Sequence, residues 1–182
     1  LLMHATEQLL EKRKHSAETR LIVNISASCL KDQGLCDWLK GAFKAANLPP
    51  SALTLQLHQR HASNAVKQSQ QFFEGLSRLG SGGSISELGP ENDGEVLLKH
   101  LPVRMLKFSD DLVSKAQSDA NYRTQLQELI QQAAQSGAAT IVPKVCSASV
   151  LATLWQLGAS FIQGDYLQQP TTTMDYEFAE IA

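Results

Sequence analysis

The chain has 182 residues with 16 basic and 18 acidic side chains, for a net charge of −2. That length suits one domain with a substantial core, and 43% apolar against 19% charged residues excludes general disorder. The balance of charge leaves no basic footprint for DNA or RNA, and no apolar run approaches the roughly 18 residues of a membrane span. Leu1 to Lys14 is amphipathic, so no signal peptide is expected, and the initial Leu is not expected to be a native start. Three scattered cysteines, Cys29, Cys36 and Cys146, lack C-x-x-C spacing and fit a reducing cytoplasm.

Apolar spacing predicts a helix over Ala5 to His15, a short strand over Leu21 to Ser26 and a helix over Asp32 to Ala46, stopped by Pro49-Pro50. Leu53 to His58 alternates as a strand, and Ala62 to Leu79 is spaced as a helix. Gly80 to Gly83 has turn chemistry, not a phosphate-binding fingerprint, and Ser84 to Leu88 follows as a strand. A short helix over Gly94 to Leu101 is closed by Pro102, and Val103 to Phe108 is the next strand. Asn121 to Ser136 carries the clearest helical stripe and ends at Gly137. Ala139 to Val145 is a strand, Ser149 to Leu157 a helix that places Trp155 in the core, and Phe161-Ile162 opens the last strand.

Strands alternating with helices predict parallel βαβ units in an α/β fold. An open doubly wound sheet and a TIM-like (β/α) barrel both fit. A full barrel takes eight units and about 250 residues, so a barrel here would be incomplete. In either architecture the chemistry belongs at the carboxyl ends of the strands. The polar residues there are Asn24, Ser26, Gln56, His58, Gln59, Ser86, Glu87, Lys107, Ser109, Lys144, Cys146, Gln163 and Asp165. Amides and hydroxyls dominate, whereas magnesium requires hard oxygen ligands that usually include carboxylates. Each residue also has a structural alternative. Asn24 can cap backbone, Lys107 can snorkel from a strand edge, and Cys146 can be a small apolar residue. His58 and His61 lack metal-ligand spacing.

Taken in order, these segments resemble the EAL domain, the cyclic-di-GMP phosphodiesterase barrel of bacterial signalling. Leu21 to Ser26 is similar to its V-N-hydrophobic-S strand, and Leu53 to Arg60 (L-T-L-Q-L-H-Q-R) to its L-E-L-E-I-T-E-S strand. Ser86-Glu87-Leu88-Gly89 stands for D-D-F-G, and Met105 to Ser109 for hydrophobic-L-K-I-D. Val142 to Ser147 stands for A-E-G-V-E-T, and Gln163 to Leu167 with Pro170 for Q-G-Y-hydrophobic and its proline. Residues 1–170 are thus expected to be a degenerate EAL-like domain lacking its first strand-helix unit, and 171–182 a polar, acidic tail.

Where the resemblance implies metal-binding or catalytic acids, this chain has Gln56, Gln59, Ser86, Ser109, Pro143 and Cys146. Asn24, Glu87, Lys107 and Gln163 keep the family's residue or a close equivalent. Two-metal catalysis needs both ions to clamp the attacking and leaving oxygens. The implied magnesium site is therefore expected to be lost, with no cofactor and no catalytic residue. Residues 141–178 are similar to a non-catalytic branch of the family that regulates type IV pili and twitching motility, usually behind a degenerate GGDEF domain. The expected function is a cytoplasmic, non-catalytic module acting through cyclic-di-GMP, a protein partner or both. An active phosphodiesterase with a rebuilt site and a ligand-free structural or dimerising domain are the alternatives. The candidate ligand-binding residues are Asn24, Glu87, Lys107, Lys144 and Gln163. Lys107 is expected either to pair with Glu87 or to face an anion. An open edge beside Val23 is expected to be filled by a loop, a swapped segment or a second copy, so a homodimer is one expected assembly.

Overall fold

The structure, a computed structural model, describes residues 1–89, 97 and 99–174. Helix α1 (Leu2–Arg13) precedes strand β1 (Leu21–Ile25) and helix α2 (Leu35–Ala46). Strand β2 (Leu53–His58) leads into α3 (Gln59–Asn64) and α4 (Val66–Leu79), then β3 (Gly82–Leu88). Strand β4 (Met105–Phe108) is followed by α5 (Asp110–Ser118) and α6 (Ala120–Gln135). Strand β5 (Ala139–Val142), α7 (Ala148–Gln156) and β6 (Phe161–Ile162) complete the regular part.

The six strands form one parallel sheet in the order β1-β2-β3-β4-β5-β6. A doubly wound sheet reverses its strand order at a switch point, and this one never does. The sheet is an incomplete barrel wall with helices on its outer face. Alternation explains the core. Leu53, Leu55 and Leu57 are fully buried, as are Phe73 and Leu76 of α4 on the helix layer. Burying one such side chain contributes about 1.5–3 kcal/mol. Helix α2 turns Leu35, Leu39 and Phe43 inward, and α6 turns Leu126, Ile130 and Ala133 inward, at helical spacing.

Several expectations change. Gly82 and Gly83 lie in β3 rather than in a turn. A side chain on Gly82 would collide with Thr54, and one on Gly83 with the Phe73 ring, so the two faces of the strand each require a glycine. The predicted helix over Ala62 to Leu79 starts earlier and breaks at Ala65, whose φ of −145° and ψ of 53° leave the helical region. Helix α5 was not predicted; Ser109 starts it by accepting a hydrogen bond from Leu112 N at 3.2 Å. Trp155 is 60% exposed rather than core, because α7 buries only Leu154 fully. No strand pairs with the free edge of β1 among the described residues. The helix predicted over 94–101 and the acidic tail fall largely outside the described residues.

Candidate functional site

The parallel register sets the carboxyl ends of the strands side by side. Asn24 pairs with Gln56 and Gln56 with Ser84, giving one polar row across β1, β2 and β3. Gly82 faces Thr54, which puts Ser84 and Ser86 on the concave face and Ile85 on the helix layer. Gln56 is only 4% exposed and donates from Nε2 to Ser84 Oγ at 2.9 Å. A carboxylate here would need a counter-charge; the amide is satisfied by a hydroxyl. The strand-to-helix junctions use other rim groups as caps. His58 Nδ1 accepts from Arg60 N at 3.1 Å, and Ser147 Oγ from Val150 N at 3.3 Å. Gln59 is buried, and its Oε1 has no hydrogen-bond partner.

Between β3 and β4 the register slips. Ile85 pairs with Leu106 and Leu88 with Phe108, so Ser86 and Glu87 together oppose Lys107. This is a bulge, and Glu87 takes φ +61° to make it. The expected Lys107–Glu87 ion pair is not formed. Lys107 is half-buried in β4, beside Ile141 of β5. The ion pair at the rim is instead Lys144 Nζ to Asp110 Oδ2 at 3.4 Å. Sequence reasoning missed Asp110, because nothing in a single sequence links two residues on adjacent parallel strand ends.

Of the candidate residues, Asn24 and Lys107 share the concave, carboxyl-end side of the sheet by register. Gln163 follows β6 and is exposed; its N–H donates to Val142 O at 2.9 Å and its carbonyl accepts from Val145 N at 3.1 Å. Lys144 is exposed and paired with Asp110, and Glu87 lies in the bulge of β3. Two grooves lie between helices, away from the carboxyl ends of the strands. One, of about 260 Å³, is lined by α5, α6 and α7, and one, of about 850 Å³, by α2 and α4.

The donor set does not fit a pair of divalent ions. No three His, Cys, Asp or Glu side chains cluster among the described residues. Gln56 is engaged with Ser84, Ser109 Oγ caps α5, and Pro143 offers no side-chain donor. Magnesium binds mostly through carboxylate oxygens, and amides bring no charge to the site. What the arrangement offers is hydrogen bonding from amides and hydroxyls around one ammonium.

No described helix is long and apolar enough to cross a membrane. In curated sequences, the chain is 25% identical over 154 residues to the bifunctional diguanylate cyclase/cyclic di-GMP phosphodiesterase MucR of Pseudomonas aeruginosa, covering 85% of this chain and 22% of that protein. The chain spans about a fifth to a quarter of the length of the curated relatives it matches. Among solved structures, it superposes on the FimX EAL domain from Pseudomonas aeruginosa bound to c-di-GMP with a TM-score of 0.89 and 38% identity, covering 98% of this chain and 71% of that one. The Xanthomonas citri FimX EAL domain in complex with c-diGMP shares the fold, with a TM-score of 0.91 at 22% identity over 98% of this chain and 70% of that one. The EAL domain family model matches residues 1–170, so with its sequential parallel strands and its polar strand ends this chain belongs to the EAL domain family.

Proposed function

We propose that this EAL domain is a non-catalytic, cytoplasmic regulatory module of cyclic-di-GMP signalling. It binds the dinucleotide through Lys107, Asn24 and Gln163 and presents the result to a protein partner in the control of type IV pili and twitching motility. One observation carries the reading: amides and hydroxyls stand at the strand ends where hydrolysis needs charge, with Gln56 buried and bonded to Ser84. The likeness to a FimX EAL domain bound to c-di-GMP supports the ligand. Magnesium has no part in the reading, because the donor set does not fit it.

Two measurements test it. In a hydrolysis assay with cyclic-di-GMP and magnesium or manganese, the chain turns over no faster than a Lys107→Ala variant; faster turnover refutes the non-catalytic assignment. In calorimetry the wild type binds cyclic-di-GMP, and Lys107→Ala weakens binding by about tenfold or more, the scale of one charge-assisted hydrogen bond. Equal affinity removes Lys107 from the site. A ligand-free dimerising domain is the second reading, favoured by Ile22 and Phe161 on β1 and β6, which are 37% and 47% exposed. A sedimentation profile showing dimers, with no dinucleotide binding, decides for it.

A further inference from the structure

Lys144 has φ +63°, a backbone region that favours glycine. Its neighbours impose that conformation. Pro143, buried, precedes it with a ring-fixed φ. Val145, fully buried, follows it, donating its N–H to Gln163 O at 3.1 Å and accepting from Tyr166 N at 3.1 Å. Gly164 packs so closely on the Val145 backbone that a Cβ there would overlap it. A long cationic side chain therefore projects from a fixed base at a position where glycine would be relaxed. Backbone held in a sparse region by its surroundings is a mark of functional sites.

The position faces its partner across two adjacent strand ends. Lys107 and Ile141 pair in register, Asp110 follows Lys107 by one short turn, and Lys144 follows Ile141. Lys144 Nζ lies 3.4 Å from Asp110 Oδ2, with the two side chains 57% and 52% exposed. The adjacent Asp111 is committed elsewhere, to Lys115 Nζ at 2.8 Å. The rim thus holds two lysines on neighbouring strands, one of them occupied by a single exposed carboxylate.

We infer that the Lys144–Asp110 pair is an exchangeable latch, in which a phosphodiester arriving at Lys107 displaces Asp110 from Lys144. The inference rests on the dinucleotide-binding reading above and adds an internal competitor to it. An exposed pair is weak enough to be exchanged, whereas a phosphodiester offers anionic oxygens to both ammonium groups. While the latch is closed, Lys144 is available only part of the time, and apparent affinity falls by that fraction.

Calorimetry of the full chain with cyclic-di-GMP, in a four-member cycle, is the test. Asp110→Asn is expected to tighten binding about two- to fivefold, and Lys144→Gln to weaken it. In the Lys144→Gln background Asp110→Asn is expected to have no effect. An Asp110 effect that persists there is general charge repulsion and overturns the latch. Equal affinity in all four members also overturns it while leaving the dinucleotide reading intact. No binding in any member removes that reading and the latch with it. Lys144→Gly, which relaxes the backbone, is expected to melt no lower than wild type while losing affinity; a lower melting temperature with unchanged affinity assigns Lys144 a structural role instead.

Discussion

The two faces of the sheet make opposite use of the same strands. Toward the helices, Leu53, Leu55, Leu57 and Phe108 are fully buried and Ile85 and Leu106 nearly so. Toward the concave side the same strands carry Asn24, Gln56, Ser84 and Lys107, and the edge strands leave Ile22 and Phe161 substantially exposed. Period-two alternation divides stability from recognition one residue at a time. The polar face can therefore change its chemistry while the apolar face keeps the fold. With amides and hydroxyls along its strand ends, this EAL domain still superposes closely on a solved relative.

If that division is right, the largest loss comes from the helix-facing side. Leu55→Ala should cost about 2–5 kcal/mol in denaturant unfolding, by lost burial and a cavity. Gly83→Ala should cost about 1–3 kcal/mol, because the new methyl meets the buried Phe73 ring. On the concave side Gln56→Ala should fall at about 1–3 kcal/mol through the unpaired Ser84 hydroxyl. Ile22→Ala, at the exposed edge, should stay within about 1 kcal/mol. A cost at Ile22 matching that at Leu55 would break the comparison and show that the edge is covered in solution.

The thiols give the smallest and most local reading of the same contrast. Cys146 is exposed at the rim, whereas Cys36 is half-buried between α2 and α4. Burial, with Asp37 adding to it, pushes the Cys36 thiol up, and Arg78 acts in the opposite direction. The folded chain holds that proton more tightly than the unfolded chain. Its contribution to stability is intact below the ordinary thiol range and is lost as pH rises through the folded value. Iodoacetamide at mildly alkaline pH should modify Cys146 first and Cys36 later. The reverse order would place Cys36 in a more open groove.

Much of the fold was legible where local chemistry and tertiary packing agree. Leu53–His58 is a strand at the predicted bounds, and the stripe of Leu126, Ile130 and Ala133 marks its helix within a residue at each end. Legibility fails where distant packing decides. The glycines at 82 and 83 have turn chemistry in isolation, and only the approach of Thr54 and Phe73 makes them strand. Helix α5 carries a readable signal, Ser109 followed by two acids and Leu112, Val113 and Ala116, but it is short enough to pass as a loop. Trp155 lies on an apolar helix whose neighbours cover little of it. Of the candidate residues, the positions of Asn24, Lys107 and Gln163 in or just after strands could be read from the strand pattern alone. Pairing could not: the bulge at Glu87 and the contact between Asp110 and Lys144 depend on register.

The sequential strand order has a further consequence, for how the chain assembles. Each strand bonds to the one made just before it, and every pairing closes a segment of roughly twenty to thirty-five residues. Loop-closure cost grows slowly with length, so these steps carry similar entropic penalties, and none waits for the two ends of the chain to meet. The sheet can grow one unit at a time from the amino terminus during synthesis. A partly translated chain then already displays the polar row of Asn24, Gln56 and Ser84, well before the strand that brings Gln163 to the rim has been made.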